Sequence, residues 1–263
     1  MQAADTTPSV QVFDDPERVA REAAGLFVRL SIEAVSARGA FSVALSGGST
    51  PRRLYQLLAD PPLRDTVDWS KLELFWGDER CLPPDHADAN YRTAKDAMLQ
   101  RVPLPAEHVH RMPAERPDRD AAARDYQNEI AKVFGVDPAG PPPVFDLVLL
   151  GMGPDGHTAS LFPGNPALRE TTRWAVAVAD APKPPPDRLT LTRPVLNKAR
   201  EVLFLVTGAD KADRVLEVLS GPPDPGRLPS QLIRPTAGQL VWYVDRAAAG
   251  RLTAGIDGAE GKL

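Results

Sequence analysis

The stretch 145–164, FDLVLLGMGPDGHTASLFPG, carries Gly151, Gly153 and Gly156 at G-x-G-x-x-G spacing, directly after an apolar run. Two chemistries would use that spacing. One is the turn that holds a dinucleotide, where glycines admit the pyrophosphate to a helix N-terminus. The other is a catalytic loop, because the turn closes on Asp155-Gly156-His157. An imidazole with an ordinary pKa near ~6.5 carries protons at neutral pH, and an acid two residues away can orient and polarise it. The dinucleotide reading needs a continuous helix after the glycines and an acid at the end of the next strand. Asp180, closing WAVAVAD, could be that acid, but Pro163, Gly164 and Pro166 break the helix, and Pro154 removes a donor from the turn itself. The catalytic reading survives, with His157 expected at a strand–helix junction facing a crevice. Ser160 lies three residues further on but lacks the elbow context of a hydrolase serine.

Other loops offer partners for such a histidine. Ser46-Gly47-Gly48-Ser49-Thr50-Pro51 follows the apolar run FSVAL and precedes a helical pattern. Its glycines allow close backbone approach. Its hydroxyls and the free N–H groups of the following helix suit an anion, phosphate above all. The P-loop pattern is absent, since no lysine follows the second glycine at the required place. Trp76-Gly77-Asp78-Glu79-Arg80-Cys81 ends another apolar run, and Arg80 offers a fixed fork of donors to a carbonyl or phosphate oxygen. Arg188, at the head of RLTLT, and Lys211, in TGADKA, could complete an anion clamp.

These loops must be positioned by elements that the patterning also reveals. Helical spacing covers ERVAREAAGLFVRLSIEAVSARG after Asp15-Pro16, PRRLYQLLAD after Thr50, NYRTAKDAMLQRV (90–102), RDAAARDYQNEIAKVFG (119–135) and DKADRVLEVLSG. Strands are predicted at 41–46, 72–79, 145–151, 174–180, 188–192, 202–208 and 241–245, several of them continuously apolar as buried parallel strands are. The alternation predicts an α/β protein: a Rossmann-like three-layer sandwich, a mostly parallel sheet with helices on both faces. Ligands then bind where strand carboxyl ends meet helix N-termini, which singles out loops 46–51, 77–84, 151–158, 180–188 and 207–211. The proline clusters PAGPPP, PKPPP and 222–229 read as stiff surface loops rather than linkers, so one domain is expected over 1–263, with its core at about 8–250 and a frayed tail at 251–263.

Composition narrows the class. The chain has 263 residues, 43% hydrophobic and 25% charged, with a formal net charge of −4. A nucleic-acid binder would carry a basic footprint, so none is expected. Cys81 is the only cysteine, which excludes an internal disulfide and fits a reducing compartment. The N-terminal residues lack the basic and apolar regions of a signal peptide, and no apolar run reaches the ~18 residues of a membrane span. A cytoplasmic protein without a membrane or nucleic-acid partner is expected. His108 and His110 alternate as HVH without metal-type neighbours in sequence and read as a solvated strand end.

Taken together, ALSGGSTPRRLY (44–55), FWGDERCLPPDHADANYR (75–92), FDLVLLGMGPDGHTASLFPG (145–164), RLTLTRPVLNKAR (188–200), VLFLVTGADKA (202–212) and RPTAGQLVWYVDRAAA (234–249) resemble the 6-phosphogluconolactonase family. They occur in family order and span the chain from about residue 8 to 250. GMGPDGHTASLFP is highly specific, whereas SGGSTP alone is weak. Ala89 departs from the pattern, which usually has serine before Asn-Tyr; this bears only on a local hydrogen bond. The resemblance implies hydrolysis of 6-phospho-D-glucono-1,5-lactone without a metal or redox cofactor; a monomer is expected. It also implies the fold shared with glucosamine-6-phosphate deaminases. Those enzymes are similar in the glycine loop, the acid pair and the lysine position, but carry a glutamate five residues past the histidine for ring opening. Phe162 stands there in this chain and cannot transfer a proton.

The expected arrangement follows from that resemblance. The phosphate rests on Ser46, Gly47, Gly48, Ser49 and Thr50, clamped by Arg188 and Lys211, with Asp78 at the same site. His157, oriented by Asp155, activates water, and Arg80 stabilises the oxyanion. A deaminase-like enzyme and a non-catalytic sugar-phosphate sensor are the alternatives.

Overall fold

The structure, a computed structural model, describes residues 8–252; from residue 253 on, the expected tail lies outside them. Among the described residues nine strands form two sheets: β1 Ser9–Phe13, β2 Phe41–Leu45, β3 Leu72–Trp76, β4 Asp78–Arg80, β5 Leu147–Leu150, β6 Ala175–Val178, β7 Arg188–Leu191, β8 Glu201–Val206 and β9 Gln239–Asp245. The larger sheet has the order β1-β9-β8-β5-β2-β3, and every pairing in it is parallel. The smaller sheet, β4-β7-β6, is antiparallel. The α-helices are α1 Pro16–Arg38, α2 Ser49–Leu58, α3 Leu63–Thr66, α4 Asn90–Ala94, α5 Arg119–Phe134, α6 Arg193–Leu196 and α7 Ala212–Ser220. Among the described residues no helix is long and apolar enough to cross a membrane.

Helix α1 starts and stops where its sequence directs. The Asp15 side chain accepts from the Arg18 N–H at 2.7 Å, Pro16 occupies the first turn, and Gly39 ends the helix at φ 81°. Helices cover both faces of the parallel sheet. Paired residues of neighbouring strands point the same way and successive ones alternate. Phe41 of β2, in register with Leu72, packs edge-on against Phe27 of α1. Phe75 of β3, an odd number of residues from Leu72, faces the other way and meets Phe134 of α5 at 5.9 Å. The layered α/β arrangement read from the alternation is therefore the one the chain adopts.

Several elements differ from the sequence expectation. The run 72–79 is two strands, not one. At Gly77 the backbone N–H still donates to Leu45 O of the parallel sheet, while Gly77 O already accepts from Leu191 N of the antiparallel one. The switch leaves hydrophobicity unchanged, so patterning cannot register it. Strands 174–180 and 188–192 likewise belong to the small antiparallel sheet. Residues 90–102 form α4 followed by one π-helical stretch, Lys95–Leu99. β1 completes an edge that the patterning did not reveal. His110 is buried rather than solvated. Its Nε2 lies 2.7 Å from Glu73 and its Nδ1 2.9 Å from Glu129, and its ring stacks on Phe75 at 4.6 Å. Both acids are remote in sequence, which is why HVH alone suggested no partner.

Asp146, just before β5, ties the central strands together. Its Oδ2 accepts from Ser42 N and Oγ, both at 2.9 Å, and its Oδ1 accepts from Arg38 at the end of α1. Breaking a buried carboxylate network leaves its donors unpaired. Asp146→Ala is therefore expected to lower the unfolding free energy by about 2–4 kcal/mol, measured by urea denaturation with an unchanged m-value. A loss below about 0.5 kcal/mol would show that the network is not a structural tie.

Candidate active site

All five loops singled out from the sequence meet at one cavity of about 300 Å³ at the carboxyl edge of the parallel sheet. Ser46, Gly47, Gly48, Ser49, Thr50, Asp78, Arg80, His157, Arg188 and Lys211 all line it. Asp155 stands behind His157 rather than on the wall.

The His157 loop is a tight turn. Gly153 N donates to His157 O at 2.9 Å, and Gly156 N donates to Gly153 O at 3.0 Å. A Cβ on Gly153 would lie 2.1 Å from the His157 ring and 2.5 Å from Asp155 Oδ1, so glycine is required for the pair to fold back on the turn. His157 Nδ1 is 2.5 Å from Asp155 Oδ1. Partial burial would push the Asp155 carboxyl up, but the side-chain and backbone hydrogen bonds from His157 outweigh it and hold it at about 2. An ionised Asp155 assigns the Nδ1 proton to this bond and leaves Nε2 as the acceptor. The ring also packs on Phe162, with centroids 4.6 Å apart. No helix follows: a bridge joins Thr158 to Leu161, and only a short 3-10 turn comes at Pro166–Arg169. The expected strand–helix junction is therefore a strand–turn junction, consistent with the two prolines.

The phosphate-type loop is built as a close approach. A Cβ on Gly47 would lie 2.0 Å from Asn90 Oδ1. Thr50 Oγ1 is 2.9 Å from Thr207 Oγ1, joining the loops after β2 and β8. Ser46 is anchored through its backbone to the Tyr55 hydroxyl, which accepts from Ser46 N and donates to Ser46 O. Ser46 Oγ, Asn90 Oδ1 and Arg80 Nε are buried without a hydrogen-bond partner. Three polar atoms among the residues of one cavity thus lack a hydrogen-bond partner.

Charge on this wall is predominantly positive. Arg188, on β7, is buried and donates to the carbonyls of Lys183, Pro184 and Pro185. Burial pushes its guanidinium below the ordinary value, and the Asp78 carboxylate acts in the opposite direction. Lys211 Nζ is 2.8 Å from Asp210. Arg80 Nη1 donates to Asp88 O at 2.5 Å. Lys183 also lines the cavity. Sequence reasoning flagged its loop but missed the residue, because a lysine among prolines looks like surface. Asn90 was noticed only as part of a motif; its distance in sequence from Gly47 concealed their contact.

The neighbouring acids divide. Asp78 faces the cavity and accepts from Ser160 Oγ at 2.6 Å and Asn90 Nδ2 at 3.2 Å. Ser160 is thereby occupied as a donor to Asp78. Glu79 turns away and accepts from the N–H groups of Arg80, Asn90 and Tyr91 at 2.8, 2.7 and 2.7 Å. This carboxylate caps α4, whose N-cap Ala89 has no side chain able to do so.

Fold and site together define a Rossmann-like α/β protein with a cation-lined crevice beside a His–Asp pair. The chain belongs to the family described as glucosamine-6-phosphate isomerases/6-phosphogluconolactonase, whose model matches residues 14–242. It is 41% identical to a 6-phosphogluconolactonase of Streptomyces coelicolor over 255 residues, covering 94% of this chain and 95% of that one. A 6-phosphogluconolactonase of Synechocystis is 44% identical over 220 residues, covering 84% and 88%. The solved 6-phosphogluconolactonase of Trypanosoma cruzi superposes with a TM-score of 0.84 at 31% identity, covering 97% and 100%. A monomeric glucosamine-6-phosphate deaminase superposes at 0.74 with 20% identity, covering 92% and 99%, a likeness of fold alone.

Burial pushes the Glu79 carboxyl up to about 7 against the hydrogen bonds it accepts. The folded chain thus keeps this proton where the unfolded one, near 4.5, has lost it. Its contribution to stability is full below about pH 4.5 and is lost as the pH rises through about 7. Glu79→Gln should therefore fall less in stability than the parent between pH 5 and 8, by urea unfolding. Parallel pH profiles would show that Glu79 titrates normally.

Proposed function

We propose that this chain hydrolyses 6-phospho-D-glucono-1,5-lactone to 6-phospho-D-gluconate, acting as a cytoplasmic monomer. The observation that carries the reading is the His157–Phe162 contact beside a cationic crevice. The wall holds a proton carrier and an anion clamp, but an apolar ring stands where a ring-opening deaminase would need an acid. A lactone needs no ring opening before water attacks.

The 6-phosphate rests on the Ser46–Thr50 loop and is held by Arg188, Lys211 and Lys183. This places C1 toward His157. Nε2 of His157 takes a proton from water as its oxygen attacks the lactone carbonyl. The tetrahedral oxyanion faces Arg80. His157 then delivers the proton to the ring oxygen as the C1–O bond breaks, and the product acid ionises. Asp155 fixes the tautomer and balances the transient imidazolium. General base catalysis contributes about 10²–10⁴-fold, and an oxyanion donor about 10²–10³-fold. A lactone is reactive enough for these contributions to suffice with positioning and no covalent intermediate.

An assay with freshly prepared lactone, following acid release, should show turnover well above the spontaneous rate, and glucosamine-6-phosphate should yield no ammonia. His157→Ala should reduce kcat by about 10²–10⁴-fold with little change in product binding; kcat within a few-fold of the parent would remove His157 from the base role. Arg188→Ala and Lys211→Ala should act mainly by raising KM, about tenfold or more. Unchanged KM in both would take them out of the clamp.

A further inference from the structure

A second cavity, of about 560 Å³, shares no lining residue with the first. Small-molecule sites span about 300–1,000 Å³, so it is large enough for a nucleotide-sized ligand. Three cations stand on its wall, Arg193, Lys198 and Arg234, and no aspartate or glutamate. None of the three forms an ion pair among the described residues. Outside this wall, by contrast, Arg214 and Arg227 are both neutralised by Glu217, each at 2.6 Å. Uncompensated cations around one concavity repel one another and draw in an anion, all the more notably in a chain of net charge −4. The remaining wall is largely apolar and stiff, with Pro194, Pro223 and Leu232. Proline surfaces lose little freedom when they order a ligand.

We propose that this cavity binds an organic polyphosphate of nucleotide size. Its phosphates are held by Arg193, Lys198 and Arg234, and its flat apolar body lies on the proline–leucine wall. Three cations match a di- or triphosphate better than a single phosphate. The place is also connected to the chemistry. Gln231, on the same wall, donates from Nε2 to Glu217 O and Pro222 O and accepts from Asp224 N. Its neighbour Ser230 donates from both N and Oγ to Gly156 O, at 3.0 and 2.9 Å. Arg214 donates to Pro154 O at 3.0 Å. The ligand thus stands one residue from the anchor of the His157 loop. This assignment does not depend on the lactone reading.

Isothermal titration calorimetry of the full chain tests it, with ADP and inorganic pyrophosphate as probes. ADP should bind with Kd at or below about 1 mM, and pyrophosphate at least about tenfold more weakly. The double variant Lys198→Glu/Arg234→Glu, altered at two exposed side chains, should keep its far-UV circular dichroism and weaken ADP at least about tenfold. Lys211→Ala, in the other cavity, should leave ADP affinity unchanged. The proposal is overturned by absence of ADP binding up to about 10 mM, by unaltered ADP binding in the double variant, by its loss in Lys211→Ala, or by pyrophosphate binding as tightly as ADP.

Discussion

Six strands running in one direction impose a single working edge. Parallel strands require crossovers, so each strand of the larger sheet ends, at its carboxyl terminus, in a loop on the same side. The loops after β2, β5 and β8 open there side by side, because those strands are neighbours in the order β1-β9-β8-β5-β2-β3. The glycine loop, the His157 loop and the Lys211 loop inherit their places from this constraint. The His157 loop leaves β5 at the centre, flanked by the glycine loop after β2 and the Lys211 loop after β8. The antiparallel sheet then brings Asp78, Arg80 and Arg188 in from β4 and β7, whose register pairs Arg80 with Arg188. Two guanidinium groups across one strand pair repel, and Asp78 beside them is the counter-charge that makes the arrangement tolerable.

The cationic wall accords with the polar atoms left unpaired on it. A buried arginine is costly unless its donors are met, and Arg188 meets part of that need with three backbone carbonyls of the loop 183–185. The same bonds hold that loop, and therefore Lys183, over the cavity. Asp155 is treated oppositely to Glu79. Both are partly or wholly buried, yet the hydrogen-bonding His157 ring keeps Asp155 ionised at about 2 while Glu79, with only backbone donors, rises to about 7. An ionised acid behind His157 suits orientation of a base; a carboxyl capping α4 serves structure.

Ala89 shows how a departure from a family pattern can be absorbed. An N-cap serine would accept from the first helical N–H groups. Glu79 reaches across from β4 and accepts from two of them instead. The local hydrogen bond that the missing hydroxyl would make is thus replaced from another element, and Asn90 keeps its position against Gly47.

Periodicity, capping signals and punctuation by glycine and proline are local, so the sequence by itself determined the helices α1, α2 and α5, the central parallel strands, and the sheet edge at which the five singled-out loops converge. It also set the His157 loop apart from a dinucleotide turn, since two prolines forbid the helix wherever the chain is folded. What depends on contacts between distant residues was decided only by tertiary structure. Gly77 divides one apolar run between two sheets; Glu73 and Glu129 bury His110; Asn90 closes on Gly47; and Lys183 turns inward from a proline loop. Asp78 and Glu79 are adjacent in sequence and indistinguishable there. Alternation along β4 sends them to opposite sides, and only the packed neighbours on each side make one a wall of the site and the other a helix cap.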